Sequence, residues 1–300
     1  PWITPEYSMQ KLTWSEIELT GGAEADTLLP QPPTVQGYYR DVAVLAFPSF
    51  ENGKPVAFSD WKRLNNSVFN HDGRIGIQEY DRQQVIDPAT VVDLSGNLTP
   101  EGRLSWRVPQ GRWTVIRLGH TSTGQRNCAA PDTGVGLECD KFSKEAIRLH
   151  FNKMMDRLYP LIEPYVDKIQ IGLEIDSWEV GMQNWTAGVE DEFLRRAGYD
   201  PIRFLPAMTG KIVGDRERTE RFLWDVRRVQ ADLLADNYYG EFRRLCNRYG
   251  LISYCEPYDR GPMEELQIGA RVDGVMGEFW NGLSAIFQNN LMMRRTTKLA

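Results

Sequence analysis

The sequence predicts an α/β protein with a β-rich first half followed by part of a TIM-like (β/α)8 barrel. Three observations predict this class. Residues 1 to about 125 carry period-two apolar runs separated by Pro/Gly turns. From about residue 140 the apolar spacing becomes helical and alternates with short strand-like runs, which implies parallel strands under covering helices. In IQIGLEID, residues 169–176, one face is apolar (Ile169, Ile171, Leu173, Ile175) and the other polar (Gln170, Gly172, Glu174, Asp176). A strand in an open doubly wound sheet is apolar on both faces, whereas the interior of a closed barrel can turn polar near its C-terminal mouth.

The strand-forming runs of the first half are LTWSEIEL, YYRDVAVLAFP, ATVVDL, GRLSWRV and RWTVIRLG. In LSWRVPQGRWTVIRL the turn-forming Pro109, Gln110 and Gly111 separate two alternating runs, which predicts a β-hairpin. Ser143 stands as an N-cap before Ile147, Phe151, Met154, Met155 and Leu158, predicting a helix over 144–158. After the strand at 169–176 come a helix near 189–197 ended by Gly198 and a longer one from about 216 to 249 ended by Gly250. Two short strands, LISYCEP and GVMGEF, follow. The expected division is a β-rich region over 1–125 and a barrel portion carrying an acidic site over 126–300.

The 300 residues leave room for a large core, and an aromatic share of 11% with nine Trp provides flat surfaces for a ligand as well as for packing. A formal net charge of -6 without a Lys/Arg block argues against nucleic acid and against an anionic membrane surface, which both need clustered positive charge. The four cysteines show no C-x-x-C spacing and read as buried free thiols. No run of eighteen apolar residues occurs. The opening PWITPE and the closing NGLSAIFQNNLMMRRTTKLA lead us to expect an internal piece of a longer protein.

Acidic residues gather at expected strand ends: Glu174, Asp176 and Glu179 in LEIDSWEVG, Glu256 in SYCEPY, and Asp273 and Glu278 in VDGVMGEFW. In barrel enzymes catalytic groups come from the C-terminal ends of several strands, where side chains from different strands converge. Cleaving a glycosidic bond needs one carboxylic acid to protonate the leaving oxygen and one carboxylate to activate water or attack the anomeric carbon. Crowded carboxylates raise one another's pKa, and a bound cation relieves this. With amide oxygens nearby on Gln183 and Asn184, the donor set suits a hard ion such as Ca²⁺ rather than zinc. Trp178, Trp185, Tyr258, Phe279 and Trp280 flank the acids and suit sugar C–H faces or core packing equally. Of the three histidines, His120, which ends VIRLGHTSTG, is the one placed to line a pocket. The N-x-S/T triplets at Asn65, Asn97 and Asn184 arise too readily by chance to imply glycosylation.

Taken together, PWITPEYSMQKLTWSE, YYRDVAVLAFP, GRLSWRVPQGRWTVIRLGHTSTG, GLECDKFS, IDSWEVGMQNWT, the helix around RFLWDVRR and NYYG, CEPY and MGEFW resemble glycoside hydrolase family 106, the α-L-rhamnosidases. The resemblance runs over essentially the whole chain in order, and IDSWEVGMQNWT is its most specific piece. It implies a (β/α)8 barrel interrupted by a β-sandwich-like inserted region, within a longer periplasmic or secreted protein acting on rhamnose-containing glycans or glycosides. It also implies inverting chemistry beside a calcium ion. Glu179 would be the general acid and Glu278 the general base, with Glu256 a supporting or metal-binding carboxylate and Asp176 an orienting or metal-side group. Trp178, Asn184, Trp185, Tyr258, Trp280 and His120 are the candidate sugar-binding residues. Two alternatives stand beside this reading: a retaining glycosidase of another specificity using the same carboxylates, and a non-catalytic carbohydrate-binding fragment.

Overall fold

In chain order the computed structural model contains strands β1 (Gln10–Thr20), β2 (Glu24–Leu28), β3 (Arg40–Pro48), β4 (Val85–Ile86), β5 (Val92–Asp93), β6 (Arg103–Arg107) and β7 (Arg112–Ser122). Helix α1 (Lys144–Val166), β8 (Gly172–Ile175), α2 (Val189–Ala197), β9 (Ile212–Val213) and α3 (Arg216–Leu233) follow. A π-helical turn (Leu234–Tyr239) then leads into α4 (Gly240–Arg248), β10 (Ile252–Cys255), α5 (Glu265–Gly269) and β11 (Gly274–Val275). The structure describes residues 2–50, 84–127, 130–258 and 261–277.

The chain divides into two compact units, and both are discontinuous in sequence. One comprises Pro1–Met9, Gly124–Gln183 and Gln230–Ala300; the other comprises Gln10–Thr123 and Asn184–Val229. This differs from a single cut at 125, because the segment 184–229 clusters with the β-rich portion.

In the β-rich unit an antiparallel sheet has the order β1-β7-β3-β5, and β2 pairs with β6 as a separate ribbon. The predicted hairpin at 104–118 is corrected here, since β6 and β7 do not pair with each other. The pair β1–β7 ends at Thr20↔Arg112 and the pair β2–β6 begins at Glu24↔Arg107. Between them the Gly21 N–H donates to the Gly111 carbonyl at 2.6 Å and the Gly22 N–H to Val108 at 3.0 Å. The two ladders thus meet at a corner, with Pro109–Gly111 on one side and Gly21–Gly22 on the other. Gly111 (φ 103°) and Gly22 (φ 99°) occupy backbone that other residues rarely adopt. A Cβ on Gly21 would sit 1.6 Å from the Pro109 carbonyl oxygen, so the corner requires glycine there too. The turn residues were legible, but which strands they join was decided across the ribbon.

The other unit holds a three-stranded parallel sheet of order β11-β10-β8. No closed barrel forms among the described residues, so the architecture is mixed α/β and the TIM-like barrel is not seen as a closed ring. The strand expected at 169–176 shortens to Gly172–Ile175, and Ile169 is 60% exposed. Helix α1 starts as predicted, with the Ser143 hydroxyl accepting from the Ala146 N–H at 3.3 Å, and runs past 158 to Val166 through Pro160 and Pro164. Both prolines are exposed. Helix α2 matches 189–197, with Gly198 at φ 84° closing it. The helix predicted over 216–249 is interrupted by the π turn at Leu234–Tyr239, which apolar periodicity does not reveal.

Ile147, Phe151 and Met155 of α1 pack with Ile175, Phe242, Leu245, Cys246 and Cys255 in the main core of this unit. Cys139, Cys246 and Cys255 are buried free thiols, as the spacing suggested, and Cys128 lies outside the described residues. Burial first, and neighbouring acids second, push Cys246 and Cys255 up to about 12. No described helix is long and apolar enough to cross a membrane.

A buried carboxylate joins α1 to α4. Glu241, 3% exposed, accepts from Arg148 at 2.7 Å and from Arg244 at 2.5 Å. Burial alone would raise its pKa, but the Arg244 and Arg148 hydrogen bonds outweigh that and hold it at about 2 against an ordinary 4.5. The unfolded chain therefore binds this proton more tightly than the folded one, so the contribution to stability is present above 4.5 and is lost as pH falls toward 2. The expected result is that Glu241→Gln lowers the thermal midpoint at neutral pH and that this difference shrinks to nothing through the same window. Thermal scans at stepped pH check it; a difference that stays constant down to pH 2 contradicts the assignment.

Candidate active site

The C-terminal ends of the three parallel strands lie side by side. Ile175 pairs with Cys255, and Cys255 with Val275. The Glu256 N–H donates to the Ile175 carbonyl at 2.9 Å and the Met276 N–H to Cys255 at 2.8 Å. Asp176 and Glu256 are therefore the first residues beyond two adjacent strand ends, on one edge of one sheet. Glu278 follows the third strand in sequence and, like Phe279 and Trp280, lies outside the described residues.

Beyond β8 a cavity of about 320 Å³ opens, within the usual range for a small ligand. Its acidic lining is Glu138, Glu174, Asp176 and Glu179. Ser177 joins two of these acids: its N–H donates to Asp176 Oδ1 at 2.7 Å, and its hydroxyl lies 3.3 Å from Glu179 Oε1 and 3.5 Å from Asp176 Oδ1. Asp176 and Glu179 are both exposed. Glu174, assigned by alternation to the barrel interior, is also exposed and lines the same cavity. Desolvation, then the charge of Asp176, raise the Glu174 pKa above the ordinary value.

Trp178 is 2% exposed and fixed on several sides. Its backbone N–H donates to the Tyr258 carbonyl at 3.1 Å, tying the loop after β8 to the loop after β10, and its indole N–H donates to Gly181 at 2.7 Å. Tyr258 and Glu256 are buried at 7% and 6% beside this junction.

Three of the candidate sugar-binding residues lie in the β-rich unit and gather around Gln10. The backbone N–H groups of Asn184 and Trp185 donate to the Gln10 carbonyl at 3.2 and 3.3 Å. The His120 imidazole Nδ1 contacts Gln10 Oε1, and Asn184 Oδ1 accepts from the Leu12 N–H at 2.7 Å. All are buried, and burial first, then Arg40, lower the His120 pKa to about 4. None of the three lines the cavity described above.

Sequence reasoning gave no role to Glu138, Lys141, His150, Tyr238 and Tyr239, which also line the cavity, so the histidine in its wall is His150 and not His120. Tyr238 and Tyr239 are consecutive residues of the π turn, and both belong to the cavity wall. The available signals were the strings GLECDKFS and NYYG, which contributed to the family resemblance without any residue in them being assigned to the site. Among the described residues no three His, Cys, Asp or Glu side chains gather to hold a metal ion.

Comparison with known proteins bears on what this cavity is for. A family model described as alpha-L-rhamnosidase, that of glycoside hydrolase family 106, matches residues 1–60 and 57–293. A protein of Formosa agariphila named "Putative beta-glucuronidase" is 42% identical over 285 residues, which is 94% of this chain and 24% of the relative. The solved structure of a rhamnosidase from Novosphingobium sp. PP1Y superposes with a TM-score of 0.72 at 24% identity, covering 91% of this chain and 39% of that one. That likeness speaks for the fold alone. The chain thus spans about a quarter of the curated relative's length. By the family match over both stretches, this chain belongs to glycoside hydrolase family 106, the α-L-rhamnosidases.

Proposed function

We propose that the full-length protein hydrolyses terminal α-L-rhamnosides with inversion, with Glu179 as general acid and Glu278 as general base. The observation that carries the reading is the joining of Asp176 and Glu179 through Ser177 in one cavity at the carboxyl end of a parallel sheet. There Glu179 has the reach of a proton donor to a glycosidic oxygen, and Asp176 orients it through the shared serine. Glu256, next in line on the adjacent strand end, is the supporting carboxylate.

The charge of the lining favours a neutral sugar over the uronate that the name of the Formosa relative would suggest. Four described carboxylates, Glu138, Glu174, Asp176 and Glu179, face one lysine, Lys141, which Glu138 already pairs. With Glu138 paired to Lys141 and Glu179 protonated as the acid, Glu174 and Asp176 are left to disfavour a uronate carboxylate, since like charges about 4 Å apart repel by roughly 4 kcal/mol at an effective dielectric of about 20. Ile147, Phe151, Met154 and Leu173 in the same lining suit the methyl group of a 6-deoxy sugar.

Calcium belongs to this proposal through the family alone, because the amide oxygens of Gln183 and Asn184 accept from the Lys141 and Leu12 backbone N–H groups instead. Asp176 and Glu256 would supply two of the roughly six to eight oxygens such an ion needs, and the described residues offer no third clustered ligand. When bound, the ion would neutralise part of the acidic lining. The proton transfers described here are assigned to side chains alone.

The test is hydrolysis of an aryl α-L-rhamnoside and an aryl β-D-glucuronide by the full-length protein, with and without a calcium chelator, following the first-formed anomer by NMR. Expected are cleavage of the rhamnoside alone, the inverted sugar as first product, and loss of activity on chelation. Retention would place the acid and its partner about 5 to 5.5 Å apart rather than 6.5 to 9.5 Å and identify the partner as a nucleophile. Cleavage of neither substrate favours the carbohydrate-binding alternative.

A further inference from the structure

The least expected group in the cavity wall is a cation. Lys141 is 3% exposed, and its ammonium is paired with the Glu138 carboxylate at 2.5 Å. It also lies 5.5 Å from the centre of the Trp178 ring and 5.4 Å from that of Tyr238, within the range of cation–π attraction. Its own segment is firmly held. The Lys141 N–H donates to Gln183 Oε1 at 3.0 Å, and the Gln183 amide donates in turn to Asp140. Asp140 also accepts from the Phe142 N–H at 2.9 Å. Beyond this anchor Trp178 is followed directly by Glu179 and preceded by Ser177, the residue that joins Glu179 to Asp176.

We infer that Lys141 is a positioning residue of this site: clamped by Glu138, its ammonium packs against Trp178 and Tyr238 and fixes the Asp176–Glu179 loop in its working geometry. The inference rests on the proposed function of that cavity and adds a residue that its chemistry does not name. The alternative role for a lysine here is to bind the substrate directly. Its burial and its carboxylate and ring partners make Lys141 part of the wall behind Trp178 instead. The two tyrosines of the π turn complete that wall, Tyr238 as the second ring under the ammonium and Tyr239 as a fully buried neighbour. A misplacement of a catalytic group by about 1 Å is enough to cost about 10²-fold in rate, so a brace of this kind affects turnover rather than binding.

The test uses the full-length enzyme. Lys141→Met removes the ammonium but leaves Glu138 half-buried without its cation, a change that can unfold a protein. The double variant Lys141→Met/Glu138→Gln removes both charges and separates positioning from that penalty. Lys141→Arg keeps a cation that stacks on rings. On whichever aryl glycoside the wild type cleaves, the double variant is expected to lose about 10²-fold in kcat with KM changed less than about two-fold, and Lys141→Arg to recover most of the loss. A rise in KM at unchanged kcat would make Lys141 a sugar ligand, and unchanged kinetics would make it a bystander; either result overturns the inference. A crystal structure of the double variant gives a readout independent of turnover. The Trp178 ring is expected to shift and the Ser177–Glu179 hydrogen bond to open, whereas an unmoved loop overturns the inference even if the wild type cleaves neither glycoside and the proposed function fails.

Discussion

Glu179→Gln in the full-length enzyme is expected to lower kcat/KM by about 10²- to 10⁴-fold on a rhamnoside whose leaving group is a poor one such as an alcohol, the range for removing a general acid. The loss should be much smaller on a rhamnoside of an acidic phenol, because that leaving group departs without a proton. A general base shows no such dependence, so the contrast between the two substrates identifies the role and the size of the loss identifies the residue. The geometry behind the expectation is the exposed Glu179 carboxylate at the cavity, joined through Ser177 to Asp176. Glu174 is the control, since it lines the same cavity and its proton is held more tightly than usual, by desolvation and then by Asp176. If Glu174→Gln shows the leaving-group dependence and Glu179→Gln does not, the acid is Glu174 and the assignment made from the D-S-W-E motif is wrong.

The second large effect is on stability. Phe151→Ala is expected to destabilise the unit that carries the site by about 3 to 5 kcal/mol, the cost of an unfilled aromatic cavity in a packed core. Phe151 is 2% exposed; its ring meets Phe242 edge-on at 6.1 Å and Tyr249 at 5.9 Å, which ties α1 to α4 and to the residue that ends it. Because Phe151 also lines the acidic cavity, the loss falls where the cavity wall is made. A single unfolding free energy is ill-defined where a chain divides into more than one compact unit. Hydrogen exchange of peptides from α1 and α4 in the full-length protein is the suitable measurement. Faster exchange confined to these helices and β10 is expected, with Phe151→Leu giving a much smaller change because most of the volume is kept. Exchange rates unchanged in α1 would mean that the aromatic cluster is not what holds it.

What could be read beforehand depended on whether the deciding interaction was local. The start of α1 was legible because Ser143 caps it from three residues away, and the end of α2 because Gly198 alone accepts the left-handed turn. The edge where acids collect was legible for the same reason: β8 and β10 end at residues whose successors are acidic, and parallel pairing brings successors together. The corner at Pro109–Gly111 was misread because a turn sequence reports a change of direction and not a partner. The partners, β1 and β2, lie about ninety residues earlier in the chain, as the pairs Thr20↔Arg112 and Glu24↔Arg107 show. The break of the long helix at Leu234–Tyr239 left no mark in its apolar spacing.

The amino-acid sequence by itself determined the β-rich and α/β character of the two portions, the capped start of α1 and end of α2, the acids that follow β8 and β10, and the family. Each is carried by neighbouring residues or by a string of motifs in fixed order. Only the tertiary structure decided that Asn184, Trp185 and His120 gather around Gln10 and not at the acidic cavity, that Glu174 lines that cavity, and that Lys141 stands against Trp178. Those are contacts between side chains tens of residues apart. They depend on how strands and helices pack, and neither alternation nor spacing along the chain encodes that.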